Sequence, residues 1–261
     1  MNRPDFSPLF LERVAPFSVG IATIGNGPPQ VLGSGVLLTD GVFTGILTCA
    51  HVWETYAQRT EIGLVRFRPA SNTQSQVLAL GPTQTIVLGE PPWDDPRSAD
   101  LAFTRLSVTQ VADVAARFSI LSHTRNLEKF RDGEPAGLQR VDAAFGLIGE
   151  RTGVPSRAGE IVTTPMHAEF SPGNIIAKEN GTLTFECMKY NLPDLPQRFG
   201  GLSGGGVWRG YFKVTDSGSC ELEEIRLCGT ASQQLDSTRL AGQGLPRIGY
   251  LFEKMRSEWP V

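Results

Sequence analysis

The chain has 261 residues, 40% of them hydrophobic and 20% charged, with a formal net charge of −3. That length can bury one large core or two smaller ones, and mild acidity without a Lys/Arg cluster argues against nucleic acid as a partner. No apolar run approaches the roughly 20 residues of a membrane-spanning helix, and the N-terminal stretch MNRPDFSPLFLERVAPFSVG has no secretory pattern, so a cytoplasmic protein away from membranes is expected. Cys49, Cys187, Cys220 and Cys228 are too few and scattered for a disulfide framework and read as mostly buried free thiols, although Cys220 and Cys228 could pair across a hairpin.

Dense glycine and proline punctuation predicts short elements. SVGIATIG (18–25), QVLGSGVLLT (30–39) and GVFTGILTCAHVW, after a turn at Asp40–Gly41, are apolar, β-branched runs bounded by turn signals. EIGLVRFRP (61–69), QTIVLGE and DLAFTRLS follow, giving about six strands spaced as in a barrel or sandwich. Residues 108–135 lack glycine until Gly133 and carry a short helical stretch followed by charge, which predicts a connector. Strands resume in RVDAAFGLIGE, AGEIVTTPMHAEF, GNIIAKENGTLTFECMKY, GVWRGYFKV and EEIRLCGTAS, with Asn180–Gly181 as the strongest hairpin signal. The apolar spacing in IGYLFEKMRSEW predicts a closing helix. Nothing alternates as βαβ, so the fold class is all-β.

FGGLSGGGVW (199–208) sets Ser203 among glycines, and Gly201 to Gly205 fit G-x-S-x-G. An α/β-hydrolase with that motif places its histidine after the serine, whereas His51, His123 and His167 all precede Ser203. A serine nucleophile needs a base. His51 has the most informative context, ending the apolar strand GVFTGILTCA, where a rigid element can hold the ring at the rim of a core. His123, in the polar stretch ILSHTRN, reads as a solvated surface residue, and His167 as a half-exposed strand residue with a place in a substrate pocket left open. An imidazole base needs a carboxylate to orient it. Asp100 fits, standing between the loop EPPWDDPRSA and the apolar strand LAFTRL, while Asp94 and Asp95 suit a solvated loop. No H-E-x-x-H, C-x-x-C or P-loop is present, GQGLPRIG (242–249) misses the dinucleotide spacing, and DSG (216–218) reads as a turn, so neither metal nor cofactor is expected.

Together, LTCAHVW, ADLAFTRL and GGLSGGG resemble the histidine, aspartate and serine segments of the trypsin/chymotrypsin-like serine peptidases, in that family's order, with Cys49 in an alanine slot. GSGVLLT (33–39) is similar to the strand before the histidine in bacterial members, and IRLCGTAS (225–232) to the strand after the serine. The resemblance implies two six-stranded antiparallel β-barrels packed together. The first spans 1–115 and carries His51 and Asp100. A connector with a short helix spans 116–137. The second barrel, 138–261, carries Ser203 and a C-terminal helix.

It further implies that Ser203 Oγ attacks the scissile carbonyl, that His51 takes and returns the proton, and that Asp100 orients His51. The N–H groups of Gly201 and Ser203 would form the oxyanion hole, which gives the glycines a purpose: aiming two amides at one point. The strand end at Ser232 would pair with substrate backbone, and Gln197, where trypsin-type members place an acid, supports no preference for Lys or Arg. Leu202 stands where animal digestive members carry an aspartate that pairs with a new N-terminus. It cannot make that pair, so it is expected to pack inward without zymogen activation by that route. The function implied is a serine endopeptidase acting on protein or peptide substrates and held in check by latency, a partner or narrow specificity. The alternative is a catalytically silent barrel that binds or regulates proteins.

Overall fold

The computed structural model describes residues 6–24, 29–67, 75–79, 85–151, 156–158, 161–163, 167–188, 198–215 and 219–259. The first half contains α1 (Ser7–Val14), β1 (Ser18–Ala22), β2 (Val31–Thr39), β3 (Thr44–Thr48), α2 (Ala50–Tyr56), β4 (Glu61–Arg66), β5 (Ser75–Ala79), β6 (Thr85–Leu88) and β7 (Leu101–Arg105). Between the halves lie α3 (Val108–Ala115), β8 (Leu121–Ser122) and α4 (His123–Arg131). The second half holds β9 (Gln139–Ile148), β10 (Ser156–Ala158), β11 (Ile161–Thr163), β12 (His167–Glu179), β13 (Thr182–Cys187), β14 (Gly206–Val214), β15 (Cys220–Gln234), β16 (Arg239–Gly244) and α5 (Leu245–Glu258).

The chain is mostly β, arranged as one curled sheet and one ring. The curled sheet runs β5-β4-β1-β2-β3-β7-β6, with β8 lying parallel beside β2. Among the described residues its edge strands β5 and β6 do not pair with each other. The second sheet returns on itself in the order β12-β13-β16-β15-β14-β9. Its β12–β13 hairpin turns through Asn180 (φ 50°) and Gly181 (φ 78°), joining Glu179 to Thr182 in register. That is the two-residue hairpin the Asn-Gly pair predicts.

Successive side chains of a strand face opposite ways, and here both ways are buried. In the first sheet Leu37 and Ile46 enter a core with Val19, Ile62, Leu64 and α2's Val52. Their neighbours Val36, Leu38 and Leu47 face the other way, into a second cluster shared with Phe145, Leu147, Trp208 and Leu227 of the ring. The ring's own interior takes the alternate residues Ala144, Ile148, Val207 and Leu183. The middle cluster is therefore a seam between two sheets, which explains why these strands read as continuous apolar runs.

The terminal helices cross this seam. In α1, Phe10 packs at 5.9 Å, with tilted rings, against Phe212 of β14, so α1 lies on the second-half sheet. In α5, Phe252 meets Phe103 of β7 at 5.3 Å, and Trp259 meets Phe43 at 5.4 Å. Packing therefore does not follow the chain divisions at 115 and 138.

Several expectations change. The stretch 108–135 holds two helices, α3 and α4, where one short helix was expected; α2 takes up the end of a run read as strand, and α1, β5 and β16 lie in segments where no element was expected. His123 is not a surface residue: it is buried, its ring stacked on Phe252 at 4.8 Å, because α4 turns it under α5. Cys220 and Cys228 do not face each other across a hairpin. Both lie on β15, where eight residues span about 26 Å, and no disulfide joins any of the four cysteines. No helix among the described residues is long and apolar enough to cross a membrane. The DSG stretch at 216–218 lies outside the described residues.

Candidate active site

Asp100 is the buried last residue before β7, at the end of the loop that begins after β6. That loop is tied down at both ends of its span: Trp93 Nε1 donates to Glu54 Oε2 of α2 (2.7 Å), and Arg247 of α5 donates to the Ser98 carbonyl (2.6 Å).

His51 does not end the β3 strand as the apolar run suggested. The strand stops at Thr48, Cys49 is the extended N-cap residue (φ −79°, ψ 149°), and His51 sits in the first turn of α2. Asp100 grips it twice. Its Oδ1 accepts from the His51 backbone N–H at 3.1 Å, and its Oδ2 lies 2.7 Å from Nδ1. An ionised carboxylate only accepts, so the pair holds the proton on Nδ1 and leaves Nε2 as an acceptor. The carboxylate is nearly covered while the ring remains 31% exposed.

Ser203 is positioned from the opposite sheet by a turn whose amides are used alternately. Leu202 N–H donates to the Phe199 carbonyl (3.0 Å), Gly204 N–H to Ala231 (2.8 Å) and Gly205 N–H to Leu202 (2.7 Å). Among the described residues the N–H groups of Gly201 and Ser203 donate to no protein acceptor. Gly201 has φ +95° and Gly204 φ +83°, a region disfavoured for residues with a Cβ. A Cβ on Gly204 would also overlap the Ser34 carbonyl and the Thr48 hydroxyl. Leu202 packs inward as expected, in the ring's core with Ile148 and Phe199.

Ser34 of β2 joins the two sides, and the sequence reading passed over it. Its N–H donates to the Ser203 carbonyl (2.8 Å), and its Oγ donates to the Gly201 carbonyl (2.7 Å) while accepting from Leu147 N–H (2.8 Å). Its own carbonyl accepts from Thr48 Oγ1 (2.6 Å), at the end of the strand that leads to His51. Next door, Cys49 Sγ donates to the Ala231 carbonyl at 3.2 Å, the same oxygen that holds Gly204. The sequence signal that could have found Ser34 is a single polar residue inside the otherwise apolar and glycine run VLGSGVLL, six consecutive residues of which the fold buries.

The Ser203 hydroxyl donates to the Ser232 carbonyl at 3.0 Å, and no hydrogen bond links it to His51. Ser232 stands at the irregularity between Ala231 and Gln233 in the β15–β16 pairing. Such bulges re-aim groups beside functional sites, and here the freed carbonyl faces Ser203. Ser232 Oγ is buried without a partner. Gln197 lies outside the described residues, and His167 opens β12 opposite Ile148. Although no metal was expected from motifs, one ligand atom each from Cys49, His51 and Asp100 lie within 4.8 Å of one another. Burial, and next the Asp100 charge, push the Cys49 thiol well above its usual range.

The site thus offers an oriented imidazole with a free nitrogen, a hydroxyl on a rigid turn, and two unspent amides beside that hydroxyl. No protein-family model matches the chain, and no curated protein matches it.

Proposed function

We propose that this chain is a serine endopeptidase of the trypsin/chymotrypsin-like kind, built as two packed barrels and hydrolysing peptide bonds in protein or peptide substrates. The observation that carries the reading is the pairing of two preorganised halves. Asp100 fixes His51 in one tautomer on the first sheet, and the turn on the second leaves the N–H groups of Gly201 and Ser203 without a protein acceptor among the described residues.

The chemistry follows from those atoms. The reading requires a χ1 change between staggered wells that takes Ser203 Oγ off the Ser232 carbonyl and toward the ring. His51 Nε2 then takes the hydroxyl proton as oxygen attacks the carbonyl carbon, and Asp100 stabilises the imidazolium. The developing oxyanion accepts from Gly201 and Ser203 N–H, each such donor contributing about 3 kcal/mol to the transition state. The proton passes to the leaving amine, and water repeats the sequence to release the acyl group. Ser232, at the bulge, would present backbone to the substrate, and no cofactor is needed.

A fluorophosphonate probe tests this directly. Wild type is expected to be labelled and Ser203→Ala to stay unlabelled. Asp100→Asn should slow the reaction on the order of 10⁴-fold, because an amide N–H facing Nδ1 forces the wrong tautomer. The second reading, a silent barrel that binds or regulates proteins, is favoured by one observation: the Ser203 hydroxyl is spent on Ser232. Absence of any Ser203-dependent labelling would decide for it.

A further inference from the structure

Cys49 belongs to the site but has no part in the chemistry above. It is fully buried, and although it is the N-cap residue of α2, its sulfur does not cap the helix. Instead the sulfur lies with His51 and Asp100 so that one ligand atom of each falls within 4.8 Å of the others. A thiol, an imidazole and a carboxylate are the donor types of zinc-like sites, with bond lengths of about 2.0–2.3 Å that set ligand atoms roughly 3.3–3.7 Å apart in a tetrahedron. Closing the widest separation to that value asks for a shift of about 1 Å. The donor set excludes hard cations, which require oxygen ligands.

We propose that Cys49, His51 and Asp100 form a binding site for a thiophilic divalent cation, Zn²⁺ or Cd²⁺, and that occupancy switches off the chemistry at Ser203. The second half of this statement rests on the peptidase reading; the first does not. The cation enters on the Nδ1 side of the ring, where Asp100 Oδ2 now stands 2.7 Å away. Coordination releases the thiol proton to solvent, and the ring exchanges its proton from Nδ1 to Nε2. The complex therefore holds a thiolate, a neutral imidazole and a carboxylate, with one proton lost in total. An Nε2 that carries hydrogen cannot accept the Ser203 proton, so inhibition follows from the tautomer alone. A dication also reverses the local electrostatics: the Asp100 charge that opposes thiolate formation now favours the bound cation.

The test begins with Cd²⁺ titration of the whole chain, followed by the thiolate-to-cadmium charge-transfer band in the ultraviolet. One equivalent is expected to bind, and Cys49→Ser and His51→Gln should each weaken apparent affinity at least tenfold. Both variants keep Cys187, Cys220 and Cys228, so bands of wild-type strength and affinity in the two would overturn the site. Circular dichroism checks that each variant is folded, and His51→Gln decides alone if the buried Cys49 substitution is not tolerated. In a second arm, saturating Zn²⁺ should slow fluorophosphonate labelling of Ser203 at least tenfold in wild type. The effect should disappear in Cys49→Ser when each rate is normalised to its own metal-free value. Undiminished labelling at saturating Zn²⁺ overturns the switch. If metal-free wild type is not labelled at all, it is the peptidase reading that fails, and the cadmium titration still decides the site.

Discussion

Ser34 shows how much one small side chain can fix. It is wholly buried, and its Oγ serves at once as donor to Gly201 and acceptor from Leu147, binding the Ser203 turn to β9 through β2. Replacing it with alanine leaves a buried carbonyl and a buried amide without this partner, each costing on the order of 1–3 kcal/mol. Ser34→Ala is therefore expected to lose about 3 kcal/mol of unfolding free energy in urea and to slow Ser203 labelling by the probe. Unchanged stability would mean the clamp is dispensable. Asp100 and His51 were legible in the sequence only in combination with Ser203, because an aspartate that opens an apolar strand is by itself ordinarily a cap. Ser34 was not, because a serine among glycines in a strand resembles simple punctuation.

At the scale of elements, α4 and α5 meet at His123, whose two ring nitrogens are buried without hydrogen-bond partners. Burial pushes its pKa down to about 4, a shift that the Asp40 charge opposes and the Arg256 charge aids. In the unfolded chain the same ring titrates near 6.5. Between those values the unfolded state binds a proton that the folded state refuses, so stability is full above about pH 6.5 and falls as pH drops toward 4. Between pH 7 and pH 5 this one group should lower the unfolding free energy by about 2 kcal/mol. In His123→Leu that contribution should vanish from urea titrations at the two pH values. An identical pH slope in both proteins would place the effect elsewhere. The burial itself was invisible in ILSHTRN, since Thr124 and Arg125 beside it face outward while the first residue of α4 turns under α5.

For the molecule as a whole, the terminal helices matter more than their position suggests. Phe252 of α5 fills the seam cluster, touching both Phe103 of the first sheet and the ring of His123. Truncating it to alanine is expected to cost about 3–5 kcal/mol, as for other buried aromatic residues. Because the seam is shared, the loss should appear as one cooperative transition moved to lower urea concentration. Two separate transitions in calorimetry would show the sheets to be independent units instead. The long-range character of this core also explains why α1, β5 and β16 escaped prediction: SQVLA and RLAGQG carry too few apolar residues to announce a strand alone, and pairing with β4, β13 and β15 makes them strands.

The amino-acid sequence by itself determined the mostly β class, the Asn180–Gly181 hairpin, the closing helix and the three polar residues worth watching. Each rests on local physics, namely side-chain periodicity, the φ values glycine permits, and the rarity of polar groups bordering apolar runs. Only the tertiary structure decided that Asp100 holds both the backbone and the ring of His51, and that Ser34 ties the Ser203 turn to the first sheet. It alone set the Ser203 hydroxyl on Ser232 and brought Cys49 into reach of two other ligands. Apart from Cys49 and its near neighbour His51, those contacts join residues 29 to 167 positions apart. No local preference encodes them; they arise when two sheets share a buried seam and polar groups trapped there pair across it.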